Sequence, residues 1–282
     1  MLKKITEDIY FLDHVRETDR PSLGLIVGEK RSMVVDSGNS PKHAEEFLQE
    51  AEKVTKGPIQ YLGITHCHWD HIGGMGKMNI PSVGSRKTQN RLEEMKHWKW
   101  DDASLEKQKE DGVFNDFIIN AVKGEMNEEE RKDFRVSPMD IVFEGKLAFD
   151  LGNITCEMLE MDGPHTEDTT LIYVPERKVL FLGDSIYGSR KKGKFGYDRE
   201  KLFSLVDVIR SLDVTYYVVS HETILDQKEM EDFFGELERA SKAAGSETSV
   251  NEGKKQFTAM FNREPEGDEL FYIECFCNWN EL

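Results

Sequence analysis

An apolar run, Ile59-Gln60-Tyr61-Leu62-Gly63-Ile64, leads straight into Thr65-His66-Cys67-His68-Trp69-Asp70-His71. A strand that delivers three imidazoles and a carboxylate must end at a cleft, because these groups need solvent, a partner or a cation. In extended chain, residues two apart point the same way, so His66, His68 and Asp70 can converge on one point. His71 follows on the far side of the turn, where Gly73-Gly74 is expected to let the chain swing round. Imidazole nitrogen and carboxylate oxygen are the ligands that hold zinc, iron or manganese. The segment reads as a metal site.

Eight histidines stand in the chain, at 14, 43, 66, 68, 71, 97, 165 and 221. His165 lies in Asp162-Gly163-Pro164-His165-Thr166, and Asp184 in Phe181-Leu182-Gly183-Asp184-Ser185. His221 ends the run Tyr216-Tyr217-Val218-Val219-Ser220, and upstream Val34-Val35-Asp36-Ser37-Gly38 is another strand closing on an acid and a turn. Each follows a strand or a turn, where a loop side chain can face a shared cleft. His14, His43 and His97 match no motif and are expected to face solvent.

In this ordered set, His66-Cys67-His68-Trp69-Asp70-His71 followed by His165, Asp184 and His221, the chain resembles the metallo-β-lactamase superfamily. With the Asp36 turn the resemblance covers roughly residues 5–225. It implies an α/β fold, a four-layer αββα sandwich, formed here by a single domain over 1–282 with a helical insertion at about 86–135. It further implies that His66, His68 and His165 hold one metal, that Asp70, His71 and His221 hold a second, and that Asp184 bridges both. Two divalent ions are therefore expected. Zinc is the first choice because it suits imidazole-rich sites, and iron and manganese stay open.

Hydrolysis is the reaction such a pair of ions supports, with a bound hydroxide attacking an ester, lactone, thioester or phosphoester of a small molecule. Asp70 and Tyr187 are the residues expected at the reacting atoms. Tyr187 stands three places after Asp184, the spacing of a tyrosine in similar quorum-quenching lactonases, where a phenol donates to the oxyanion. Packing on the next helix is its plainer role. Zinc β-lactamases that resemble this chain often carry cysteine where Asp184 stands, which argues against antibiotic hydrolysis. Two other classes remain: an iron-dependent sulfur dioxygenase-type oxidoreductase, and a metal-holding protein without turnover.

The chain has 282 residues and a net charge of −17, which opposes general affinity for nucleic-acid phosphates. Met1–Asp8 has two lysines but no apolar core behind them and is not expected to act as a signal peptide, and no stretch nears the roughly 20 apolar residues that span a bilayer. Four cysteines, at 67, 156, 275 and 277, without an export signal point to the cytoplasm rather than to a disulfide framework. Against the acidic background, Ser189-Arg190-Lys191-Lys192-Gly193-Lys194 is a cationic run. Near a metal cleft it would hold a substrate carboxylate or phosphate; otherwise it is a solvated turn.

Strands are expected at 9–12, 23–27, 33–35, 141–143, 146–149, 154–158, 169–174, 179–182 and 216–220. Ser40-Pro41 opens a helix, and others are expected over 199–212 and 227–244. Residues 86–135 lack strand alternation and read as two or three inserted helices, either a substrate lid or a packing element. Residues 245–256 are polar and read as a mobile link. Cys67 and Trp69 are expected to pack away from the metals, and Asp36 to accept a hydrogen bond from a ligand histidine or its loop. Cys275 and Cys277 are expected on one face of a core strand.

Overall fold

The computed structural model describes residues 1–281, which divide into two compact units. The first comprises Met1–Met161, Asp168–Asp184 and Tyr216–Ile224; the second comprises Asp162–Glu167, Ser185–Thr215 and the chain from Leu225 onward.

The first unit opens with β1 (Lys3–Lys4), β2 (Ile9–Leu12), β3 (Leu23–Val27), β4 (Ser32–Val35), β5 (Ile59–Gly63), β6 (Ser82–Ser85) and β7 (Ile141–Phe143), which lie side by side in chain order. The pairs up to β4 are antiparallel, and those from β4 to β7 are parallel. Its second sheet runs β8 (Lys146–Asp150), β9 (Thr155–Glu160), β10 (Thr170–Val174) and β11 (Val179–Gly183), all antiparallel. The chain then builds the hairpin of β12 (Ser189–Lys191) and β13 (Lys194–Gly196) in the second unit. It returns to the first as β14 (Tyr216–Val219), parallel to β11.

Period-two alternation decides which side chains meet. On β3 and β4, Leu23, Leu25, Val27 and Val34 face one core, while Ile26, Met33 and Val35 face another shared with Cys156, Met158, Ile172, Val179 and Phe181 of the second sheet. The sheets approach so closely at β3 that a Cβ on Gly24 would lie 2.3 Å from the Phe181 ring.

Helices cover the other face of the first sheet. In α1 (Pro41–Ala51), Ser40 caps the first turn by accepting from the His43 amide, and Ala44, Phe47 and Ala51 are buried. His43 itself is fully buried, not solvent-facing. It is the third residue of α1, on the same inward stripe as Phe47, and burial with the Arg20 charge holds its imidazole down to about 3. His97 is exposed and His14 half-buried. The motif supplies two short helices, α2 (Trp69–Ile72) and α3 (Met75–Met78).

The insertion holds four helices rather than two or three: α4 (Arg86–Met95), α5 (Asp102–Glu110), α6 (Asp116–Glu125) and α7 (Glu128–Asp133). Each starts on a side chain that accepts from its first turn, Ser85, Asp101, Asn115 and Asn127, so caps split what composition alone reads as longer helices. Trp100 lies under this group, with Trp98, Phe114, Phe134 and the motif's own Trp69 around it.

The second unit continues with α8 (Arg199–Ser211), β15 (Leu225–Asp226), α9 (Gln227–Ala244), α10 (Val250–Phe261) and α11 (Glu269–Asn280). Two expectations are corrected here. Most of 245–256 is the start of α10, where Gly253 is buried so tightly that a Cβ would lie 2.7 Å from Ile273 of α11. Cys275 and Cys277 lie on α11 and not on a strand, although both are buried. Among the described residues no helix is long and apolar enough to cross a membrane.

Glu269 anchors this helical group. Its buried carboxylate accepts from Arg239 Nε at 2.6 Å, from both Arg263 terminal nitrogens at 2.6 and 2.7 Å, and from the Glu266 amide at 2.9 Å. Burial opposes its ionisation, but the Arg263 guanidinium leads the donors that hold it at about 2. Its stabilising contribution is thus complete above the unfolded value of roughly 4.3 and disappears as pH falls through the folded one. Urea unfolding should show Glu269→Gln weaker than wild type at pH 7, with the gap closing towards pH 2.5. A gap constant over that range would rule out this linkage.

Candidate metal centre

The chain stays extended from β5 through His68 and turns into α2 at Trp69. Asp70 is therefore not on a strand face with His66 and His68: Asp70 and His71 sit in the first turn of α2. The turn still gathers the rings, with His66 centred 4.6 Å from His68 and 4.1 Å from His71. Gly73 and Gly74 do not supply a left-handed bend, since both have right-handed φ values of −62° and −94°. They are needed for close approach. A Cβ would stand 2.5 Å from the Asn39 carbonyl at Gly73 and 2.1 Å from the Ser37 oxygen at Gly74. Cys67 and Trp69 pack into the helix-side core, as alternation predicts.

Asp184 follows β11 across Gly183, whose φ of +55° favours glycine and where a Cβ would lie 2.7 Å from Thr65 Oγ1. His221 follows β14. Asp70 Oδ2 lies 3.1 Å from His71 Nε2 and 3.2 Å from His221 Nε2. Asp184 Oδ1 lies 3.4 Å from His71 Nε2, while its Oδ2 lies 3.6 Å from His221 Nε2 and 3.9 Å from His66 Nε2. One ligand atom each from Asp70, His71, Asp184 and His221 falls within 4.8 Å of the rest, and the same holds for His66, His68 and Asp184. Both groups could hold a divalent cation, and they share Asp184.

His165 and Tyr187 belong to the second unit. There His165 Nδ1 donates to the Gly188 carbonyl oxygen at 2.9 Å, which fixes the ring's orientation. The Tyr187 ring meets the His165 ring edge-on, with centroids 6.2 Å apart.

Three carboxylates surround the ligand candidates. Asp36 has a left-handed φ of 60°. Its Oδ1 accepts from the Thr65 amide, and its Oδ2 from Thr65 Oγ1 and His71 Nδ1, all at 2.8 Å. It orients both a histidine and the motif's loop. Asp168, which the sequence did not single out, accepts from the Cys67 amide at 2.8 Å and so fixes the backbone between His66 and His68. Asp19, also unmarked by any motif, places Oδ1 3.7 Å from His221 Nδ1. An acid in Thr18-Asp19-Arg20-Pro21 carries no local signal; only the folded chain brings it to residue 221.

On the protein's own charges, burial works against every ionised group in this cluster, and the opposite charges overrule it. Asp184 and Asp70 raise His221 to about 10 despite its burial. Asp70, Asp184 and Asp36 likewise raise His71 well above its ordinary value. In turn the two imidazoliums keep Asp70 and Asp184 well below the usual carboxylate range. Asp19 goes the other way, pushed up to about 7 by burial and the Asp70 charge. Two buried carboxylates facing shared imidazoles need positive charge among them, from protons or from a metal. The donor set thus fits divalent cations, whose uptake displaces protons and strengthens as pH rises.

Comparison with known proteins gives the family and the fold. The family described as Metallo-beta-lactamase superfamily matches residues 18–221, and the chain belongs to it. No curated protein matches the sequence. Among solved structures, a metallo-beta-lactamase from Pontibacter korlensis has a TM-score of 0.58 at 17% identity, covering 83% of this chain and 97% of its own. A metallo-beta-lactamase family protein from Thermus thermophilus has a TM-score of 0.59 at 15% identity, with 99% and 94% covered. A stereoselective inverting sec-alkylsulfatase from Pseudomonas sp. has a TM-score of 0.63 at 14% identity, covering 98% of this chain and 47% of its own. At these identities the likeness is one of fold.

Proposed function

We propose that this chain is a metal-dependent hydrolase of small molecules, with two divalent cations, zinc first, held by His66, His68 and His165, by Asp70, His71 and His221, and by Asp184 between them. The observation that carries this reading is the place of Asp184, one buried carboxylate whose two oxygens face His71 on one side and His66 and His221 on the other. Bound cations would supply a hydroxide near neutral pH and polarise the bond under attack. Asp70, held ionised by a cation bound beside it, would orient the attacking oxygen by accepting a hydrogen bond from it. Tyr187 would donate a hydrogen bond to the oxyanion, which favours carboxylic esters and lactones over thioesters and phosphoesters.

The hairpin cations bear on substrate charge. Lys191 lies 5.1 Å from the Trp279 ring centre, Lys194 pairs with Glu281 and Arg190 donates to the Gly193 carbonyl at 3.4 Å, so Lys192 would be the hairpin cation for an anionic group. The free, buried cysteines and the charge of −17 support a cytoplasmic enzyme without a nucleic-acid partner.

Elemental analysis of protein purified without chelator or added metal tests the reading first. About two zinc ions per chain are expected, followed by turnover on a panel of esters, lactones, phosphodiesters and sulfate esters. Tyr187→Phe should lower kcat on the best substrate and leave metal content unchanged; equal kcat would make the tyrosine structural. About one iron per chain, with oxygen consumed on a thiol substrate, would replace the hydrolase by the oxidoreductase reading.

A further inference from the structure

We propose that Asp19 is a positioning residue for His221, its carboxylate facing Nδ1 so that Nε2 is presented to the cation between Asp70 and Asp184. This rests on the reading of His221 as a ligand. A histidine that binds metal through one nitrogen gains orientation and basicity when a carboxylate accepts the proton on the other. His71 already has that arrangement, with Asp36 Oδ2 on Nδ1 and the two ligand-group carboxylates on Nε2. His221 repeats it. Its Nε2 faces Asp70 and Asp184, and its Nδ1 faces Asp19 Oδ1 at 3.7 Å.

The loop that carries Asp19 is built to stay there. Asp19 has a left-handed φ of 55°, which turns its side chain out of the short helix Arg16–Thr18. The Asn39 side chain donates to the Thr18 carbonyl at 2.8 Å, and the Ser22 amide donates to the Ser220 carbonyl at 2.6 Å, one residue before His221. Arg20 forms a two-pronged pair with Glu125 at the end of α6, at 2.9 and 2.7 Å, and Ser40 donates to the same carboxylate at 2.6 Å. Residues on both sides of Asp19 are thus fixed by neighbours outside the loop. The carboxylate itself is largely covered, with 17% of its side chain exposed.

Asn and Gly both accept a left-handed backbone, so Asp19→Asn and Asp19→Gly remove the charge without adding strain. The full-length wild type and both variants, stripped of metal, would be titrated with Zn2+ against a chromophoric chelator to give two stepwise affinities, with far-ultraviolet circular dichroism as the folding check. One of the two affinities should fall about 10- to 100-fold in Asp19→Gly and by less in Asp19→Asn, while the other stays within about twofold. A role in loop structure alone would leave the isosteric Asp19→Asn equal to wild type, and that result overturns the proposal. Equal weakening of both ions in Asp19→Asn also overturns it, since the effect would not be confined to His221. Wild type that takes up no Zn2+ overturns the site reading as well as this one.

Discussion

Asp184→Ala should abolish turnover, with a fall of roughly 10³-fold or more, about 4 kcal/mol of barrier, while the sheets still fold. The expectation follows from geometry: Asp184 is the one carboxylate common to both candidate groups, and its oxygens face His66, His71 and His221. Its removal would take a carboxylate from each candidate group and leave Asp70 as the carboxylate facing the Nε2 atoms of both His71 and His221. Metal content by elemental analysis should drop with activity, and far-ultraviolet circular dichroism should not change. A variant that keeps two ions would end the bridging assignment. A variant that loses them and still turns over substrate would end the metal-dependent reading.

Asp36→Asn should be the most damaging substitution outside the ligands. The carboxylate accepts three hydrogen bonds within the buried interior, two from Thr65 and one from His71. Asparagine tolerates the left-handed backbone, so the change isolates the loss of charge. An amide can accept from the Thr65 amide but presents a donor where a second acceptor is needed. The cost should be about 2–4 kcal/mol, in the range for a buried charged acceptor lost from its partners. Urea unfolding checks this, and zinc titration should show affinity lowered about 10- to 100-fold, because His71 loses the group that fixes its ring. Wild-type values for both would mean that the Asp36 hydrogen bonds carry no net energy.

How much of this was legible in the sequence depends on how local each signal is. The motif from His66 to His71 and the acid after β4 could be read directly, because strand ends and turns mark themselves by alternation and by glycine. The convergence of Asp70 with the histidines was expected from an extended chain, yet α2 achieves it by a helical turn. Both backbones place these groups near one point, and the residue spacing does not choose between them. Asp19 and Asp168 were invisible. Each acts on a residue far along the chain, His221 and Cys67, through tertiary proximity alone. At the C-terminus, Cys275-Phe276-Cys277 is too short to separate a period of two from one of 3.6. Ile273, Phe276 and Cys277, all buried, carry the helical spacing. The polar start of α10 misled for a related reason: its order comes from Gly253 and Phe257 packing inward, not from helix propensity.

The helical insertion is not a cassette that evolution or an engineer could exchange alone. Trp100 at its centre meets Trp69 inside the motif, and Glu125 at the end of α6 holds Arg20 and Ser40. A foreign insertion grafted between β6 and β7 would leave the half-buried Arg20 guanidinium with Glu46 alone and open a void beside Trp69. Exchange of the insertion therefore calls for joint change at positions 20, 40, 69, 100 and 125, whereas substitutions on its outer surface leave those five untouched.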